Sequence, residues 1–159
     1  MSEVRDCLES RGMQNVSTYI NSGNIIFSSK INDAYKLRLC IEEALRQVFG
    51  LEITVVVIEA SRYIHAIQQA PSWWGRDHDW KHNAIFIIEP QTTAEVLGAI
   101  GDLRPNIEAV QAGDGVIFQS LEFSKFGQTT SGKIAGSPIY KYLTIRNYNT
   151  TRKLALLLG

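Results

Sequence analysis

The sequence predicts an α+β fold: two tandem ferredoxin-like (α/β plait) subdomains, the first missing its initial strand, plus a C-terminal helix. Three observations carry this. Helical and β-branched runs follow one another as α, β, β, α, β through about Ile58; the alternation restarts at His82 as β, α, β, β, α; and a break rich in proline and tryptophan separates the two passes. The boundaries read as a first plait over residues 1–60, a linker helix and Trp-rich loop over 61–80, and a second plait with its terminal helix over 81–159. A split βαβ unit normally starts with a central strand, and none precedes the first helix here. Either residues upstream of Met1 supply it or the first sheet is built differently.

Each element has a local reason. In "SEVRDCLESRG", Val4, Cys7 and Leu8 fall at helical spacing, with Ser2 as the expected N-cap and Gly12 as the stop. "VSTYINSGNIIFSS" places two β-rich runs around Asn21-Ser22-Gly23-Asn24, residues that tolerate the positive φ of a hairpin turn. Asn32 is the expected cap of a helix whose Tyr35, Leu39, Ala44, Leu45, Val48 and Phe49 repeat until Gly50, and "EITVVVI" reads as a buried strand. A short helix is expected from Ser61, ended by Pro71. "HNAIFIIE" is a strand and "TTAEVLGAIGDL" a helix. "IEAVQA" and "VIFQSLEF" are two strands joined at Gly113-Asp114-Gly115, and "GKIAGSPIYKYL" is helical only in part because of Gly136 and Pro138. "TIRN" then leads into the last helix.

Composition limits the function classes. With 159 residues, 45% hydrophobic and 20% charged, the chain is globular rather than disordered. Net charge is zero, yet no Asp or Glu follows Glu122, whereas Lys125, Lys133, Lys141, Arg146, Arg152 and Lys153 do. Such asymmetry points to an anionic partner or to two lobes of opposite sign packed together. Cys7 and Cys40 sit in apolar periodic runs without metal-site spacing, as buried thiols of a cytoplasmic protein do. The apolar runs "ITVVVI" and "LALLLG" are too short for a membrane span, and no targeting segment is expected.

Two blocks, "MSEVRDCLESRGMQNVSTYINSGNIIFSS" and "YLTIRNYNTTRKL", with "KHNAIFII" between them, resemble the family called domain of unknown function 1697. The resemblance spans essentially the whole chain and implies a tandem α/β plait of mostly bacterial distribution with no assigned activity. It also implies an initial strand and an arginine-bearing glycine-rich loop ahead of the position of Met1. The residues that match are Tyr19, Ser22, Gly23 and Asn24, and later Thr144, Arg146, Asn147, Asn149 and Thr150. Tyr148 stands where tryptophan is commoner in the family.

"TIRNYNTTRKL" is the candidate site. Asn149 or Thr150 is the expected N-cap of a helix with Leu154, Leu157 and Leu158 on one face. That start places Arg152 and Lys153 in the first turn, where the dipole opposes a cation by roughly 0.3–1 kcal/mol. A bound phosphate or carboxylate resolves the conflict, held by the Arg146 fork, by Thr144, Asn147, Asn149 and Thr150, and by Lys153. The alternative is structural: Asn and Thr cap the helix while Arg146 pairs with Glu59 or Glu122. Tyr19, Ser22 and Asn24 offer a second polar wall, although a tight turn selects the same residues.

Other chemistry finds little support. His78, Asp79 and His82 lack the convergence that a metal requires, so no metal is expected. Ser124 and Ser131 with Lys125 and Lys133 form no nucleophile signature, and Thr130-Ser131-Gly132-Lys133 lacks the leading glycines of a phosphate loop. Trp73, Trp74 and Trp80 read as core or lid aromatics. Three functions follow: a protein without cofactor that binds nucleic acid or a nucleotide, a small enzyme acting on a phosphorylated or carboxylated metabolite, or an interaction module whose open first sheet forms a homodimer.

Overall fold

Helical spacing of Val4, Cys7 and Leu8 is realised in α1 (Ser2–Ser10), which buries Cys7 and Leu8. Ser2 is its first helical residue rather than its cap. The structure, a computed structural model, describes residues 2–20 and 23–159. It contains a first unit, Met1–Glu59 with Leu158, and a second, Ala60–Leu157 with Gly159.

In the first unit an antiparallel hairpin joins β1 (Gln14–Tyr19) to β2 (Asn24–Ser28). Helix α2 (Ala34–Phe49) is capped by Asp33, whose carboxylate accepts from the Lys36 amide, one residue beyond the expected Asn32. Gly50, at φ 65°, ends it in the left-handed conformation that glycine adopts without strain. Leu8, Met13, Val16, Leu37, Ile41 and Leu45 form the core of this unit.

The strand expected at "EITVVVI" does not form: residues 51–59 join no ladder among the described residues. Val55 and Val57 pack against the core instead, and the Val55 amide donates to the Glu42 carboxylate at 3.0 Å. A strand is defined by its pairing, so β-branched composition alone cannot create one.

The second unit opens with α3 (Ala60–Gln68), continues through β3 (Trp80–Ile87) and α4 (Thr93–Ile100), then β4 (Glu108–Ala112) and β5 (Val116–Glu122). The stretch "GKIAGSPIYKYL" folds as two short 3-10 helices, Ser131–Gly136 and Pro138–Tyr142, and a further 3-10 helix, Phe123–Gln128, precedes them. Strand β6 (Leu143–Asn147) and helix α5 (Tyr148–Leu158) follow. Sheet order is β4-β5-β3-β6, antiparallel at every step.

Register explains why β3 and β5 read as nearly continuous apolar runs. His82, Ala84 and Phe86 share one face with Ser120, Phe118 and Val116 and with Arg146 and Thr144. Aromatic rings cover that face: Tyr63 stacks on Phe86 at 5.2 Å, and Trp74 meets Phe118 edge-on at 5.1 Å. The opposite face carries Ile85, Ile117 and Leu143 against Val96, Ile100 and Ile134. Burial on both faces removes the polar alternation of a half-exposed strand.

Candidate anion-binding site

Among the described residues strand β6 pairs only with β3 and so lies at the sheet edge, with Arg146 opposite Ala84. The Arg146 side chain is half-buried and donates through Nη1 to Thr144 Oγ1 at 2.8 Å and to the Ile145 carbonyl at 3.0 Å. Burial pulls its pKa below the usual arginine range, against the opposing influence of the nearby Tyr63 phenol. Tyr63 is itself buried and stays protonated, because burial pushes its pKa well up; its hydroxyl donates to the Thr151 carbonyl at 3.1 Å. A helix far upstream in the chain therefore supplies the aromatic neighbour of Arg146, and no local sequence signal marks Tyr63 for that position.

Helix α5 begins earlier than expected. Its N-cap is Asn147, whose side chain accepts from the Thr150 amide at 2.8 Å, while Thr151 Oγ1 donates to the Asn147 carbonyl at 2.9 Å. Neither Asn149, which is exposed, nor Thr150, which is buried, is the cap. The corrected start moves Arg152 and Lys153 out of the first turn, and most of the expected dipole conflict disappears because the effect decays within that turn. Asn147→Ala is expected to cost about 1 kcal/mol by loss of the cap, readable as a drop in the denaturant midpoint.

The remaining basic residues stay exposed. Among the described residues no ion pair engages Lys133, Lys141, Arg152 or Lys153. Some other cations do find acids: Arg46 pairs with Glu43, Arg62 with Asp114, and Lys125 with Glu122 at 2.9 Å. Glu122 is thus engaged by Lys125 and by Ser124 Oγ.

Of the second polar wall, Tyr19 and Asn24 face each other across the hairpin of the first unit, where Asn24 Nδ2 donates to the Tyr19 carbonyl at 3.1 Å. Ser22 lies outside the described residues. Thr144 and Arg146 are brought together, as are Asn147 and Thr150.

The loop Thr130-Ser131-Gly132-Lys133 does cradle an anion, but an internal one. Glu108, buried at the start of β4, accepts from the amides of Arg104 (2.7 Å), Thr130 (2.9 Å) and Ser131 (2.8 Å) and from Ser131 Oγ (2.6 Å). Burial pushes its pKa up, yet these donors outweigh it and hold the carboxyl below its usual value. The Thr130 and Ser131 amides, which an external phosphate would need at this loop, are occupied.

His82 is likewise explained internally. The Asp77 carbonyl can only accept, so His82 Nε2 donates to it at 2.7 Å and Nδ1 accepts from the Ser120 hydroxyl at 2.6 Å. His78 and Asp79 line a cavity of about 330 Å³ with Glu122, Phe123 and Ser124. Among the described residues no three His, Cys, Asp or Glu side chains converge on a metal position, and no helix is long and apolar enough to cross a membrane.

The solved structure of a conserved bacterial protein from Streptococcus pneumoniae is similar to this one, with a TM-score of 0.78 at 26% identity, covering 100% of this chain and 88% of that chain. No curated protein matches. The profile of one family matches residues 1–118, which takes in the first block and "KHNAIFII" but stops short of the second block at 142–154, and the chain belongs to that family, described as Protein of unknown function (DUF1697).

Proposed function

We propose that the second unit binds an anionic ligand, a nucleic acid or a nucleotide, through its acid-free C-terminal segment. One observation carries the reading: Lys133, Lys141, Arg152 and Lys153 are exposed and none takes part in an ion pair among the described residues, in a segment containing no Asp or Glu after Glu122. Unneutralised cations raise the local concentration of anions and lower their free energy when bound. Arg146 adds a guanidinium with reduced hydration, in which a charge-assisted hydrogen bond to phosphate is stronger than in open water. The two units are read as tandem α/β plaits of a cytoplasmic protein. The strand order β4-β5-β3-β6 supports this for the second unit, and the first unit contributes two paired strands.

The test is a thermal-shift series with nucleotides, sugar phosphates, polyphosphate and short oligonucleotides on the parent protein and on Arg146→Ala. A ligand at a hundredfold excess over its dissociation constant stabilises the native state by about 2.7 kcal/mol. Loss of that shift in Arg146→Ala supports the site; an undiminished shift in the variant removes Arg146 from it.

A second reading has its own support. Residues 53–58 are apolar or β-branched and carry no ladder partner among the described residues, as expected of a module that receives a strand from another copy. Native mass spectrometry decides it: a monomer at every accessible concentration excludes homodimerisation through this sheet.

A further inference from the structure

The three 3-10 helices between Phe123 and Tyr142 present aromatic rings alternating with lysines, and this surface deepens the proposed anion reading, on which it rests. Phe126 and Tyr140 are each 43% exposed, in contrast to Tyr63, Trp74, Phe86 and Phe118, which the same unit buries. Lysines accompany them. Lys81 Nζ sits 5.2 Å from the Phe126 ring centroid, and Lys141 Nζ lies 4.9 Å from that of Tyr142, the neighbour of Tyr140. The Phe126 ring also borders Gly132, where an added Cβ would lie 3.5 Å from Cε2, so the first two 3-10 helices meet beside exposed Lys133.

Charge decides which rings belong to the surface. Phe123 is 72% exposed but borders the cavity lined by Asp79 and Glu122, and Lys125 is neutralised by Glu122. An anion is repelled there. Lys81, Lys133 and Lys141 have no acidic partner among the described ion pairs; the rings that accompany them are Phe126, beside Lys81 at the start of β3, and Tyr140 with Tyr142, the carbonyl of the latter accepting from the Ile88 amide past the other end of that strand.

We infer that this surface binds single-stranded nucleic acid, with bases stacked on Phe126 and Tyr140 and the backbone phosphates paired to Lys81, Lys133 and Lys141. A polyanion whose repeating unit carries a flat aromatic group satisfies both halves of the pattern. A duplex satisfies only the charged half, because its bases are already stacked inside. A mononucleotide reaches only one ring. Either RNA or DNA fits, since stacking and phosphate pairing do not read the sugar.

The experiment is fluorescence anisotropy with a labelled oligothymidylate, an oligouridylate and a DNA duplex, each roughly 12 units long, within the span such surfaces cover. Both single strands are expected to bind more tightly than the duplex. Phe126→Ala and Tyr140→Ala should each weaken single-strand binding by about tenfold with the salt slope unchanged, while Tyr140→Phe retains affinity. Lys133→Gln and Lys141→Gln should each lower the slope by about 0.7. Equal binding of strand and duplex with neutral aromatic variants overturns the stacking surface and leaves the anion reading standing. Loss of affinity in Tyr140→Phe as large as in Tyr140→Ala also overturns it, since the ring is then not what binds. Absence of binding to every nucleic acid overturns it as well, and binding of a small phosphate under the same conditions would still preserve the wider reading.

Discussion

Glu108→Ala is expected to lower the unfolding free energy by about 3–5 kcal/mol, because it strands the amides of Arg104, Thr130 and Ser131 and the Ser131 hydroxyl. Glu108→Gln keeps one acceptor oxygen but replaces the other with an amide that must face donors at Ser131, so it should recover only part of the loss. The effect depends on pH in a defined direction. The native carboxyl is held below its usual value, so its contribution is fully present above the unfolded pKa of about 4.3 and is lost as pH falls through the lower native value. Urea denaturation at a series of pH values should show the parent and Glu108→Gln converging in acid. Parallel curves would mean that the carboxylate contributes nothing in its ionised form.

Trp74→Ala should cost a similar amount, about 3–5 kcal/mol, which is typical of removing a large buried aromatic. Trp74 is buried between Phe118 and Tyr148, with centroid distances of 5.1 and 4.8 Å, and its Nε1 donates to the Asn83 carbonyl at 3.0 Å. The ring thus ties the loop after α3 to the central strand and to the first residue of α5. Gly75 shows how closely that packing is fitted. Its φ is +85°, and a Cβ placed there would overlap the Tyr148 ring, so Gly75→Ala both strains the backbone and displaces a neighbour of Trp74. Chemical denaturation of Trp74→Ala and Trp74→Phe checks the account, with phenylalanine expected to restore part of the stability. A Trp74→Ala protein as stable as the parent would place this ring outside the energetic core.

Much of the fold is legible because local chemistry and tertiary packing agree. The glycine stop after Phe49 and the turn at Gly113 to Gly115 each act within a few residues, and each element appears near its expected position. The misplacements have physical causes. Asn32 and Asp33 are both good caps, as are Asn147, Asn149 and Thr150, and propensity cannot rank adjacent candidates whose choice depends on where the preceding strand or loop ends. The run "ITVVVI" has strand composition, but ladder formation is a non-local event that the run itself does not encode.

The candidate site is partly legible for the same reasons. Absence of acids after Glu122 is a property of the sequence, and it survives as exposed Lys133, Lys141, Arg152 and Lys153 on the second unit. The burial of Arg146 and its approach to Tyr63 come from a helix more than eighty residues away in the chain and leave no local trace. Glu108 is equally invisible: a single acid at a strand start gains its role only when residues 130 and 131 fold over it. That interaction also occupies the loop that resembled a phosphate cradle, so the proposed anion site rests on the exposed lysines and the β6–α5 corner.

Salt dependence of polyphosphate binding, compared between the parent protein and the combined Lys133→Gln, Lys141→Gln, Arg152→Gln, Lys153→Gln variant, tests the anion-binding claim most directly. All four side chains are exposed, so the variant should fold like the parent and the comparison isolates charge. The account predicts that affinity falls steeply as salt rises and that the dependence flattens in the variant, which neutralises fewer phosphates. Binding that ignores salt, or that persists unchanged in the variant, contradicts it.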